Sequence, residues 1–189
     1  MPIGQAKFGL LGGVVDPGKL ELIQTQTISS ATPQVDFTSI QESTYNVHFL
    51  TVNNFRPTTD NAQLQMRFFE SGVLETASVY QFALQYGSAT GVFNESKSTA
   101  INYLRACQTV GHFGRERGHS YNYLYNLGDS TKYSFQTVHN VYINKTPDTF
   151  FTFGSGVLPQ ASTVDGIRLF TNLGDIDELT VSLYGIAES

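Results

Sequence analysis

The chain has 189 residues, enough for one domain, and its 11 Lys and Arg against 16 Asp and Glu give a formal net charge of −5. This acidic balance argues against nucleic-acid binding through the phosphate backbone, which takes a surplus of cations. Charged residues make up 14% of the chain and aromatic residues 13%, which excludes disorder, and no apolar run approaches the length of about 18 residues that a membrane-spanning helix needs.

The first 18 residues form a segment rich in glycine and small apolar residues that ends in the turn signal Asp16-Pro17-Gly18. Four glycines interrupt its apolar stretch, which is unlike a signal peptide. Together with the single cysteine, Cys107, this indicates synthesis in a reducing cytoplasm. We predict that residues 1–18 are an extended arm that packs on its own domain or along a partner through four apolar side chains: Ile3, Phe8, Leu10 and Leu11.

From Leu20 onward, alternation of apolar and polar residues predicts short strands. In chain order the runs are 20–22, 35–40, 46–52, 64–68, 121–127, 133–137, 141–143, 150–153, 167–170 and 179–186. Thr76–Tyr86 is the best helix candidate, but its β-branched and aromatic residues favour a strand. Turn clusters separate the runs at intervals of roughly 8–14 residues, which is typical of a sandwich. We predict one antiparallel β-sandwich domain over residues 19–189, with about eight to ten strands.

One feature of this pattern leaves the structure open. Tyr121, Tyr123 and Tyr125 alternate along one strand, so they share a face. That face either lines the sandwich core or a subunit interface, or forms a stacking platform for a sugar; the sequence does not select which face is exposed. Gly154-Ser155-Gly156 is interpreted as a glycine-rich turn after an aromatic strand.

The stretch from Gly111 to His119 is the most unusual one, because it concentrates cationic and ionisable residues in a chain that is short of cations. Its candidate partner-binding residues are His112, Arg115, Arg117 and His119. Guanidinium groups match carboxylates bidentately, so such a loop can bind an acidic partner surface. The alternative is an exposed loop whose charges serve solubility.

Catalytic and metal-binding patterns are weak. The chain has no Gly-x-Ser-x-Gly nucleophile motif, and Cys107, His112 and His119 lack the second ligand pair of a structural zinc site. The turn that contains Asp175, Asp177 and Glu178 is either a calcium-binding loop or a solvated hairpin turn. We therefore expect no enzymatic activity, no cofactor and no metal.

Most of the chain from 20 to 187 resembles a family of jelly-roll proteins and domains from tailed bacteriophages, although residues 75–145 match poorly. The resemblance is carried by the opening Met1–Gly12, by 24–40, by 43–49 and 53–68, and by a closing group of stretches at 166–170, 174–176 and 181–187. The family often has a Gly-Gly-Ser turn where this chain has Phe69-Glu70-Ser71-Gly72, a departure that changes a loop.

The resemblance implies an antiparallel jelly-roll sandwich and a role in the virion, with no catalytic residues to transfer. Such domains either decorate and cement the major capsid protein lattice as trimers, or lie on tail fibres and baseplate appendages and attach to host glycans. Because the chain contains little beyond one such domain, we expect a capsid decoration protein. It would be made in the bacterial cytoplasm, self-associate as a homotrimer on the capsid surface, and bind neither nucleic acid nor membrane.

Overall fold

A computed structural model describes residues 19–187, so the predicted arm, with Ile3, Phe8, Leu10 and Leu11, lies outside the described residues. Within that range the chain forms thirteen strands and no helix. The strands are β1 (Leu20–Ile28), β2 (Gln34–Phe37), β3 (Val47–Pro57), β4 (Ala62–Glu70), β5 (Val73–Leu74), β6 (Tyr80–Ser88), β7 (Phe93–Ile101), β8 (Leu104–Val110), β9 (Gly118–Tyr125), β10 (Ser134–Ile143), β11 (Thr149–Leu158), β12 (Val164–Thr171) and β13 (Ile176–Ile186). The all-β prediction is confirmed, with more strands than the eight to ten expected.

The strands form two antiparallel sheets. The larger sheet has eight strands in the order β1-β13-β3-β9-β10-β11-β6-β7, and the smaller has β2-β12-β4-β5 with β8 also paired to β4. Apolar side chains from both sheets form one buried cluster, exemplified by Leu50 and Leu183 from the larger sheet and Phe68 and Ile167 from the smaller. The described residues are therefore a β-sandwich whose core lies between the sheets.

Two local predictions are revised or confirmed by this architecture. The region 76–86 is a strand from Tyr80 onward, as the β-branched and aromatic residues indicated. The runs 133–137 and 141–143 belong to one continuous strand, β10. No helix in the described part of the chain has the length and hydropathy needed to cross a membrane.

The interpretation of Gly154-Ser155-Gly156 as a turn is wrong, because β11 continues through all three residues. A Cβ on Gly154 would lie 2.2 Å from the backbone oxygen of Ala83, and one on Gly156 would lie 2.6 Å from the side chain of Leu104. The two glycines thus permit close packing of β11 within the sandwich rather than ending the strand.

A polar network is built into the larger sheet where it faces the core. The Gln136 side-chain amide donates to Asn122 Oδ1 at 2.8 Å and to the backbone oxygen of Arg105 at 2.9 Å. Asn122 in turn donates to Ser120 Oγ at 3.2 Å. Buried polar groups cost free energy unless they are hydrogen-bonded, so these bonds favour the observed register of β9 and β10 and the position of β8 above them.

Candidate binding surface

The alternating tyrosines of β9 point away from the sandwich core. Asn122 and Leu124 are fully buried on the inner side of the strand, whereas Tyr121 is 44% exposed. Tyr123 and Tyr125 are partly exposed on the same outer side. Of the alternatives left by the sequence, the core-lining one is therefore wrong, and an interface or a ligand platform remains.

The strand register aligns the tyrosines with outward side chains of the whole larger sheet, in three rows that we call the outer face. The first row is Leu20, Ile186, Val47, Tyr125, Phe135, Val157 and Gln81. The second row is Leu22, Tyr184, Phe49, Tyr123, Thr137, Ser155, Ala83 and Lys97. The third row is Thr25, Ser182, Thr51, Tyr121, His139, Phe153, Gln85 and Glu95.

Charge is confined to one margin of the outer face. Along the second and third rows the only Asp, Glu, Lys or Arg residues are Lys97 and Glu95 on the edge strand β7, and these two pair with each other at 2.5 Å. Charged side chains on edge strands discourage the addition of further strands. The seven strands from β1 to β6 present an uncharged surface in these rows, which is unusual for solvent-exposed sheet.

Aromatic rings are in mutual contact across the outer face. The ring of Phe49 lies 4.8 Å from that of Tyr123, and 6.2 Å from those of Tyr121 and Tyr184, measured between centroids. Tyr121 meets the His139 ring edge to face at 5.2 Å, and its hydroxyl lies 2.8 Å from His139 Nδ1. These contacts restrict the rings before anything binds, which lowers the conformational entropy that is lost on binding.

A trough runs between the tyrosines of β9 and Phe153 of β11. One hollow of about 600 Å³ is bordered by Tyr121, Tyr123, Tyr125 and Phe153, with Thr137 on the strand between them. A second hollow of about 290 Å³ continues toward Thr51, Asn53 and Val141. Both hollows include Tyr121 and His139, so they form one trough, which we call the tyrosine trough.

The four predicted residues of the loop 111–119 do not form one exposed basic surface. Arg115 is exposed, whereas Arg117 donates from Nη2 to Glu178 at 2.7 Å and from Nη1 to the backbone oxygen of Glu116 at 2.8 Å. His119 Nδ1 accepts a hydrogen bond of 3.4 Å from the backbone N–H of Asn54. Partner binding by these residues stays a prediction. Of the two arginines, Arg117 is paired with a carboxylate and Arg115 is exposed.

In the rest of the loop, backbone N–H groups donate hydrogen bonds to buried and half-buried carboxylates. Glu116 is 8% exposed and accepts the backbone N–H of Phe113 at 2.9 Å. A Cβ on Gly111 would lie 2.0 Å from the Glu116 carboxylate, so a side chain there would displace that carboxylate. The His112 ring is tilted by 43° against the Phe113 ring, with centroids 3.8 Å apart, and the His112 backbone N–H donates to Asp60 at 3.3 Å.

The acidic turn proposed as an alternative calcium loop lies beside this basic loop. Arg56 pairs with Asp177 at 2.5 Å and lies 3.7 Å from Glu178, which also pairs with Arg117. Two carboxylates are thus matched to two guanidinium groups. Within residues 19–187, no group of three or more His, Cys, Asp or Glu side chains is placed to hold a metal ion.

Comparison of the chain with protein-family models, with curated proteins and with solved structures finds no significant match.

Sequence reasoning identified Tyr121, Tyr123 and Tyr125 but missed the residues that complete the surface. Phe49 and Phe153 belong to predicted strands, yet nothing local places them beside the tyrosines. His139 lies in a gap between two predicted runs. The signal that was available is the set of alternate residues in each strand that point away from the core. These residues line up across the sheet once the strand order is known.

Proposed function

We propose that this chain is a structural protein of a tailed-bacteriophage virion, a capsid decoration protein that binds the major capsid protein and copies of itself in a homotrimer. The observation that carries the proposal is the uncharged outer face. Its first row is the most apolar part, and we assign the protein contacts to this apolar row: Leu20, Ile186, Val47, Tyr125, Phe135 and Val157.

Exposure and size support a contact at this row. Leu20 is 49% exposed, Phe135 is 44% exposed, and the neighbouring Leu22 is 59% exposed. With strands about 4.8 Å apart and alternate residues about 7 Å apart, the outer face measures roughly 30 Å by 15 Å. Exposed patches of a few hundred Å² on a monomer are often interaction sites.

The strand order supports the jelly-roll form of the sandwich. Eight of the described strands form this arrangement. In one sheet the neighbours are β1-β13-β3-β9, and in the other they are β2-β12-β4-β8. This order matches the one expected for the eight strands of a jelly roll, which is built from two Greek keys, and so supports that part of the proposal. On this interpretation β6, β7, β10 and β11 are insertions that widen one sheet and extend its outer face.

A decoration protein stabilises a lattice without chemistry. A ligand that binds only the assembled state stabilises it by about 2.7 kcal/mol per site at a hundredfold excess over its dissociation constant. Linking three copies raises the effective concentration of each further contact. A sheet whose rings are already packed, as Phe49 and Tyr123 are, keeps the entropic cost of docking low.

The test combines self-association and particle binding. The full chain is measured by sedimentation equilibrium and by co-sedimentation with phage heads that lack it. We expect a trimer that saturates the heads at many copies per particle, and Phe135→Glu or Leu20→Glu to weaken both by placing a charge in the contact. Val73→Glu is the matched control, since Val73 is 70% exposed on the other sheet.

Two results would reject the proposal. One is a monomer that does not bind heads. The other is a Val73→Glu variant that loses binding as fully as the two outer-face variants. If virion imaging instead finds few copies near the tail tip, the alternative role in a tail fibre or baseplate appendage is correct.

A further inference from the structure

We infer that the tyrosine trough binds a neutral oligosaccharide. The inference rests on the geometry of the second and third rows around Tyr121, His139 and Phe153, and the site meets the apolar row only at Tyr125. It therefore does not depend on where in a virion the chain resides.

The form of the trough suits an extended, ring-containing ligand. Tyr121, Tyr123 and Tyr125 are spaced two residues apart along β9, so their rings cover about 14 Å of one wall. Consecutive rings lie 6.3 and 6.5 Å apart between centroids. Phe153, which is 47% exposed, borders the other side of the hollow. The site is open along its length, so that it admits a chain rather than a single small molecule.

Aromatic walls match the apolar faces of sugar rings. A pyranose presents axial C–H groups on its faces and hydroxyl groups around its rim, so it packs flat against an aromatic ring while its hydroxyls stay in contact with polar groups. Tyrosine suits both demands because its ring is apolar and its hydroxyl is polar. Binding pockets commonly combine apolar walls with a few placed polar groups in this way.

Polar groups are placed along the trough. The Tyr121 hydroxyl lies 2.8 Å from His139 Nδ1, and the Tyr125 hydroxyl lies 3.4 Å from Thr137 Oγ1. A hydroxyl offers one donor and two acceptor sites, so each of these groups keeps capacity for a ligand hydroxyl after its internal bond. The internal bonds orient the groups before a ligand arrives.

The lack of acidic and basic side chains at the trough indicates which class of ligand it fits. The side chains bordering both hollows include no Asp, Glu, Lys or Arg. An acidic sugar or a charged peptide would lose its hydration there without gaining a permanently charged partner, since the only ionisable side chains besides tyrosine are the imidazoles of His119 and His139. A neutral sugar loses no ionic hydration, and its hydroxyls can exchange water for the polar groups of the trough. A neutral glycan is therefore the occupant that the site fits best.

The experiment uses the full-length protein and three neutral hexasaccharides as probes: maltohexaose, cellohexaose and mannohexaose. Hyaluronan hexasaccharide is the acidic comparison. Binding is followed by saturation-transfer NMR and by tyrosine fluorescence, which is usable because the chain has ten Tyr and no Trp. We expect at least one neutral hexasaccharide to bind at millimolar concentration or below, and the acidic one not to bind.

Variants locate the site. Tyr121→Ala and Phe153→Ala are expected to weaken binding at least tenfold while leaving the circular dichroism spectrum unchanged. The matched control is Tyr133→Ala, which removes a tyrosine of similar exposure (48%) outside the trough and is expected to leave binding unchanged. Trimerisation and head binding are measured on the same variants, so that a failure of the assembly role is distinguished from a failure of sugar binding.

Three outcomes would overturn the inference: no neutral hexasaccharide binds at millimolar concentration, the acidic probe binds as well as the neutral ones, or Tyr133→Ala reduces binding as much as Tyr121→Ala. If no sugar binds and the trough variants instead change the sedimentation of the protein, the trough is a protein interface.

Discussion

Asp36 and Arg168 face each other across β2 and β12 and form a bidentate ion pair. Arg168 Nε lies 2.7 Å from Asp36 Oδ1, and Nη2 lies 2.6 Å from Oδ2. Their side chains are 26% and 23% exposed, and the guanidinium also lies over the Phe69 ring, 5.3 Å from its centroid. The pair joins the short strand β2 to the smaller sheet.

We predict that Asp36→Asn lowers the free energy of unfolding by about 1–2 kcal/mol, because a half-buried guanidinium loses its charged partner. Chemical denaturation followed by circular dichroism measures this. Glu95→Gln serves as the control, since the Glu95–Lys97 pair is well exposed and such pairs contribute little. Equal stability of Asp36→Asn and the wild type would contradict the prediction.

From the buried position of His48 we predict that the folded protein loses stability in mild acid. It is fully buried, its Nε2 lies 2.8 Å from the backbone oxygen of Ile40, and its Nδ1 has no hydrogen-bond partner. Burial lowers the pKa of His48 in the folded state, whereas the unfolded value is about 6.5. Below that value the unfolded chain binds a proton that the folded chain does not, so the free energy of unfolding falls as pH falls from 7.5 to 5.

Denaturation curves at several pH values compare the wild type with His48→Gln and His139→Gln. His48→Gln is expected to have a shallower pH dependence over this interval. His139→Gln is expected to keep the wild-type slope, because His139 is only partly buried on the outer face. An unchanged slope in His48→Gln would show that another group controls the acid response.

Gly185 and Tyr45 are packed so closely that no side chain fits at position 185. A Cβ there would lie 2.3 Å from two ring atoms of Tyr45. The Tyr45 hydroxyl donates to Glu21 at 2.5 Å, which keeps the ring over the glycine. We predict that Gly185→Ala lowers the free energy of unfolding by about 1–3 kcal/mol, as overpacking commonly does.

The double variant Gly185→Ala with Tyr45→Ala tests the cause. If the collision with the ring is responsible, the double variant loses less stability than the sum of the two single variants. Strict additivity would assign the loss to the backbone of β13 instead.

Cys107 is predicted to be unreactive in the folded protein. It is fully buried in β8, and burial raises the pKa of its thiol to about 12. Because the thiolate is the nucleophile, a disulfide reagent at pH 8 should leave the native protein unlabelled and modify one thiol per chain in denaturant. Rapid labelling under native conditions would contradict the buried position.

Periodicity predicted several strands well because each carries an uninterrupted alternation. The run 64–68 falls within β4, and the run 167–170 falls within β12. The alternation fails where both sides of a strand are polar or where glycine fills a packed position. β7 was missed for the first reason, since most of its residues are exposed, and the end of β11 was missed for the second.

The candidate surface was predictable only in part. Residue spacing places Tyr121, Tyr123 and Tyr125 on one side of a strand, but which side is covered depends on where a second sheet packs. The loop 111–119 behaves similarly: its cationic residues are evident in the chain, yet Arg117 finds its carboxylate partner, Glu178, 61 residues away.

The amino-acid order alone determined the all-β character and which residues of each strand share one side of the sheet, because both follow from local backbone geometry. The tertiary structure decided the neighbours of each strand, the side of the larger sheet that stays uncovered, and hence that Tyr121 and Phe153 border one trough. Those features arise from hydrogen bonds and core contacts between residues distant in the chain, which no local pattern encodes.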